Sequence, residues 1–118
     1  MRDPRVYLED MLDAIRRVKS YTRAKSFEDF QSDEIVVDAV VRNLEVLGEA
    51  AKQLPDDLKS SQPDVEWRKI VGLRDVLIHQ YFGVHLVLGI VWEVVQAKIP
   101  PLEAAIGQIL RSLPDSQE

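Results

Sequence analysis

Cysteine is absent from the 118 residues of this chain, which excludes disulfides, thiolate metal sites and cysteine nucleophiles. Histidine occurs twice, as His79 and His85, and no His-x-x-x-His or Glu-x-x-His spacing accompanies either, so a metal site has little to be built from. Only five glycines are present, and none forms a phosphate-cradling loop or a dinucleotide fingerprint. No apolar run approaches the roughly 20 residues needed to span a bilayer. The opening Met1-Arg2-Asp3-Pro4 lacks the apolar region of a secretory signal, so a cytoplasmic location is expected. Positive charge is also short: the formal net charge is −5 and the pI about 5.0. Proteins held on nucleic acid by phosphate contacts usually carry a basic footprint, so the global balance argues against tight non-specific binding. The local exception is Arg16, Arg17, Lys19, Arg23 and Lys25, a cluster with no acid between its members. It is either the solvated end of a helix or a candidate RNA contact.

What the chain does contain is apolar residues at helical spacing. Asp3-Pro4 reads as an N-cap and first-turn proline, after which Leu8, Met11, Leu12, Ile15 and Val18 recur on one face. Ser26 to Phe30 predicts a short capped turn or helix. Asp33 is expected to cap a second long helix reaching about Leu54. The β-branched run Ile35-Val36-Val37-Asp38-Ala39-Val40-Val41 would by itself suggest a strand. Yet Val36, Val40, Leu44, Leu47, Ala51 and Leu54 hold one helical face too long for a strand, so helix is the prediction. A third main helix is expected over about Glu66 to His79. Leu86 to Ala97 is apolar nearly all round, which predicts burial on several sides, either centrally or against a second subunit. Pro100-Pro101 should break or kink it before a last striped helix. The sum is an all-α antiparallel bundle in one domain over 1–113, with 114–118 a disordered tail.

The chemistry concentrates in Arg74-Asp75-Val76-Leu77-Ile78-His79-Gln80-Tyr81. At about 100° per residue, Ile70, Leu73, Leu77 and Tyr81 gather on one side and Arg74 falls among them. A guanidinium along an apolar stripe needs an anionic or hydrogen-bonding partner. Arg74 and His79 lie about 140° apart on a uniform helix, so either the helix distorts or a second copy of the site faces the first. Around a phosphodiester, His79 could move the proton of a ribose 2′-hydroxyl or of the leaving 5′-oxygen. Arg74 could neutralise the non-bridging oxygens, and Asp75, one turn from His79, could fix its tautomer. No metal or cofactor is required, because RNA carries its own nucleophile. The plainer alternatives are a structural pairing of Arg74 with Glu45 or Glu49, a histidine interacting with terminal helix carbonyls, and a core tyrosine.

Arg74, four residues, His79, one residue and Tyr81 resembles the Arg-x4-His-x-Tyr signature of HepT-like (DUF86) toxins of the HEPN superfamily. The segments Arg42–Lys52 and Trp67–Asp75 resemble the family's second helix and its approach to the motif, and Trp92-Glu93-Val94-Val95 with Ile99-Pro100-Pro101-Leu102 resembles its last helices. The similarity covers most of residues 4–113. One departure follows Gly83-Val84, where His85-Leu86-Val87-Leu88 stands in place of an expected acidic residue. The resemblance implies a HEPN bundle of five to six helices forming a homodimer, with Arg74 and His79 as catalytic residues of a metal-independent endoribonuclease. It further implies a type VII toxin–antitoxin module, whose MntA-like nucleotidyltransferase antitoxin silences the toxin by AMPylating Tyr81. The alternative kept beside it is a non-catalytic nucleotide-binding or adaptor subunit of a nucleotidyltransferase.

Overall fold

A computed structural model describes residues 3–75, 77 and 86–114, the side chains of 86 and 87 apart. Helix α1 (Pro4–Thr22) starts where predicted: the Asp3 carboxylate accepts from the Arg5 backbone N–H at 2.9 Å, and Pro4 opens the first turn. Leu8, Met11, Ile15 and Val18 are its buried stripe. A tight turn ends it, with the Lys25 N–H donating to the Thr22 carbonyl at 3.1 Å and Ala24 at φ 60°. Helix α2 (Phe27–Gln31) carries a reciprocal capping box. The Ser26 hydroxyl accepts from the Asp29 N–H at 3.0 Å, and the Asp29 carboxylate accepts from the Ser26 N–H at 3.2 Å.

Helix α3 (Glu34–Lys52) is continuous through the β-branched run. Its periodic face decided its form: Val40, Leu44, Leu47, Ala51 and the following Leu54 are buried, whereas Ile35, off that face, is 82% exposed. Tertiary burial at 1.5–3 kcal/mol or so per large aliphatic side chain outweighs a propensity penalty of a few tenths. Helix α3 packs chiefly on α1, and together they form the wall on which the rest is laid.

The short helices α4 (Asp56–Ser60) and α5 (Trp67–Val71) follow, and α5 packs on α3. The third main helix is interrupted. The Gly72 N–H donates back to the Arg68 carbonyl at 3.0 Å in a turn, after which Leu73, Arg74, Asp75 and Leu77 are again helical.

Helix α6 (Leu86–Glu93) passes through a π-helical turn (Val94–Lys98) into α7 (Ile99–Ser112). The chain therefore does not break at Pro100-Pro101. Neither proline can donate to a carbonyl four residues back, and the backbone widens ahead of them, with the Ile99 N–H reaching the Val94 carbonyl five residues earlier. Val91, Val95 and Ile99 face the core along this path, joined by Leu102, Ile106 and Ile109 of α7. Within the single chain the described side chains of α6 and the π-turn are buried on one side only. The other side shows Ile90, 45% exposed, and half-buried Val94. These border a groove of about 840 Å³ shared with α5 and α7. Trp92 packs its ring 5.1 Å from that of fully buried Phe30, tying α6 to α2. Among the described residues there is no strand, and no helix is long and apolar enough to cross a membrane.

Candidate active site

Arg74 is positioned by a close contact between α3 and the backbone around Gly72. Gly48, buried on α3, lets the chain approach so nearly that a Cβ there would stand 3.0 Å from the Ile70 carbonyl oxygen and 3.5 Å from the Leu73 Cβ. Below it, the Trp67 indole N–H donates to the Gln62 carbonyl at 3.1 Å and fixes the start of α5. Ile70, Leu73 and Leu77 then turn inward, 5%, 8% and 3% exposed. These are the apolar residues expected on that face.

Arg74 does not join them. Its side chain is 52% exposed, on the flank of the stripe beside α3. There its Nη1 lies 3.9 Å from Glu49 Oε1, itself 52% exposed. This is one of the two structural pairings that the sequence offered for Arg74. A contact so long and so wet contributes little to stability, and it leaves the guanidinium easily transferred to a stronger anion.

The pair lines an open cleft of about 440 Å³ between α1 and α3. Tyr7 and Asp10 come from α1; Arg42, Glu45, Val46, Glu49, Ala50 and Gln53 come from α3. Sequence reasoning singled out neither Tyr7 nor Asp10. The available signal was spacing: Arg42, Glu45 and Glu49 fall at i, i+3 and i+7, and so share one flank of α3. Only the antiparallel packing of α1 on α3 shows that Tyr7 and Asp10 lie opposite.

Asp75 is exposed. His79 and Tyr81 lie outside the described residues. Of the basic cluster, Arg16 is paired with Asp13 at 3.2 Å and Lys19 with Glu103 at 2.8 Å, while Arg17 and Arg23 are exposed and Lys25 is half-buried. None of the five lines the Arg74 cleft. No group of three or more potential metal ligands occurs among the described residues.

Among the described residues, the shifted titrations lie elsewhere, at the α5 start. Hydrogen bonds from Lys98 (2.8 Å) and an ion pair with Lys69 (3.1 Å) hold the Glu66 carboxyl below its ordinary value, and Glu66 in turn raises Lys98.

A family model described as "Ribonuclease HepT-like" matches residues 11–109. The chain is 41% identical over 111 residues to a protein provisionally named an RNase in Caldanaerobacter subterraneus subsp. tengcongensis, covering 94% of this chain and 97% of that protein. It is 42% identical over 102 residues to the "Probable ribonuclease HepT" of Thermococcus cleftensis, covering 86% of this chain and 91% of that one. A third relative, from Methanocaldococcus jannaschii, is named as a gamma-glutamylcyclotransferase together with a provisional RNase. It is 38% identical over 112 residues, which are 95% of this chain and 50% of that protein. No solved structure matches significantly.

Proposed function

The chain belongs to the HepT-like ribonuclease family, and on that premise we propose that it is a metal-independent endoribonuclease. The observation that carries the reading is the state of Arg74: exposed, lining an open cleft, and held by Glu49 only at 3.9 Å. A guanidinium retained for structure would be buried or bidentately paired. One held loosely is ready to take the non-bridging oxygens of a phosphodiester as charge builds there.

His79 takes the 2′-hydroxyl proton as the 2′-oxygen bonds to phosphorus, and the bond to the 5′-oxygen breaks as that proton is passed to it. The products are a 2′,3′-cyclic phosphate and a 5′-hydroxyl, with no metal or cofactor consumed. Asp75 orients the imidazole. In this reading two subunits pair so that both motif helices meet, which removes the 140° separation of Arg74 and His79 on a uniform helix. Groove-facing Ile90 of α6 and Val94 of the π-turn support a partner surface.

The same reading makes the protein a cytoplasmic toxin restrained by an MntA-like nucleotidyltransferase. AMP placed on Tyr81, two residues from His79, adds bulk and negative charge where RNA phosphate must enter. The test is RNA cleavage and growth arrest by wild type, Arg74→Ala and His79→Ala. Loss in both variants supports the assignment, and equal activity in all three rejects it. Nucleotidyltransferase binding with no RNA turnover by the wild type would favour the adaptor alternative.

A further inference from the structure

The Arg74 cleft contains more recognition chemistry than phosphate neutralisation needs. Asp10 and Glu45 are half-buried carboxylates on opposite walls, and neither has a hydrogen bond or ion pair among the described residues. Arg42 is exposed and likewise unpaired, although it is only three residues from Glu45 on the same helix. The half-buried Tyr7 ring lines the cleft between them.

Resting on the ribonuclease reading, we propose that this cleft is a nucleobase subsite that selects guanine next to the scissile phosphate. Single-stranded RNA is read by stacking a splayed base on an aromatic ring and hydrogen-bonding its Watson–Crick edge. Guanine alone among the four bases presents two adjacent N–H donors on that edge, at N1 and N2. They match the two oxygens of one carboxylate as an arginine fork does. Adenine and cytosine set an acceptor nitrogen beside their single amino group, and uracil flanks its one N–H with carbonyls. Each therefore turns a lone pair toward a carboxylate.

Glu45 is the base reader, Asp10 supplies a further acceptor from the facing wall, and Tyr7 is the stacking platform. Arg42 and Arg74, both lining the cleft, hold successive phosphates. The acids oppose phosphate, so the backbone stays on the guanidiniums and the base turns inward. An excess of acid is thus compatible with RNA in this cleft. It makes the site selective rather than merely adhesive.

The test is equilibrium binding of labelled pentamers UUGUU, UUAUU, UUUUU and UUIUU (I, inosine) to full-length His79→Ala protein, which leaves turnover out of the measurement. The guanine pentamer should bind about tenfold or more tighter than the adenine and uracil ones. Inosine, lacking the N2 amino group, should lose most of that advantage. Glu45→Gln should erase the preference, and Asp10→Asn should weaken it; both are isosteric surface changes whose folding circular dichroism verifies. Affinities within about twofold of one another for all four pentamers, a preference retained in Glu45→Gln, or no measurable binding would each overturn the subsite. Cleavage by wild type without base preference would also overturn it, leaving the ribonuclease reading intact. Guanine-selective binding without cleavage by wild type would support the subsite and remove that reading.

Discussion

Gly48 and Ile70 meet where a side chain cannot stand: a Cβ on Gly48 would lie 3.0 Å from the Ile70 carbonyl oxygen. This contact sets how closely the segment bearing Arg74 lies on α3. Gly48→Val should therefore destabilise the fold by about 1–3 kcal/mol, through overpacking against rigid backbone. It should also depress RNA cleavage more than its loss of stability explains. Urea denaturation and activity measured well below the unfolding midpoint check the two effects separately.

Gly107 makes the opposite case. It lies within α7, and the nearest atoms to an added Cβ are those of the Arg111 guanidinium, the closest at 3.3 Å. A flexible exposed arginine moves aside at little cost. Gly107→Ala should raise stability by about 0.5–1 kcal/mol, because glycine loses more freedom than alanine on entering a helix. Thermal unfolding should show a Tm higher by a few degrees, with cleavage unchanged.

Phe30 is fully buried against Trp92. Phe30→Ala should cost about 3–5 kcal/mol, the range for an emptied aromatic site. Since the same ring shields Trp92, the intrinsic fluorescence of the folded variant should shift to the red.

Arg74→Lys should behave nearly as badly as Arg74→Ala, with cleavage reduced by about 100-fold or more, because an ammonium cannot grip two phosphate oxygens at once. Stability should barely change, the Glu49 contact being long and exposed. A parallel loss of stability and cleavage would assign Arg74 a structural role instead.

Glu66 gives a prediction in pH. Its pKa is lowered in the folded protein, so its contribution is present above the ordinary value of 4.5 and is lost as pH falls through the lowered one. Lys98 is raised, so its part is present below 10.5 and lost as pH climbs past the raised value. Glu66→Gln should lower Tm slightly near neutrality, and the difference from wild type should disappear in strong acid. Added salt should shrink it as well, since the groups are exposed.

Much of this fold was legible in the sequence because apolar period and capping chemistry agreed. Asp3, Ser26 and Asp33 each cap the helix expected of them, and the Val40–Leu44–Leu47–Ala51 face overrides the β-branched run around it. Two features were hidden for physical reasons. The exposure of Arg74 depends on where α3 lies beside it, and a wheel drawn for one helix at about 100° per residue does not contain its neighbours. The fate of Pro100-Pro101 depended on a π-turn, whose signature is a hydrogen-bond register rather than a residue pattern. The cleft illustrates a third kind of limit. Its α3 wall follows from helical spacing, but Tyr7 and Asp10 enter only through a tertiary pairing, which a linear pattern does not contain.

The unbroken passage from Leu86 through the π-turn to Ser112 has a mechanical consequence. The strut that begins five residues after Tyr81 is the same strut that rests on α1 and carries Leu102, Ile106 and Ile109 into the interior. A load applied at its near end is borne by the whole molecule rather than absorbed at a hinge. The proposed adenylation of Tyr81 should thus be read in amide exchange far along α7 as well as around Arg74.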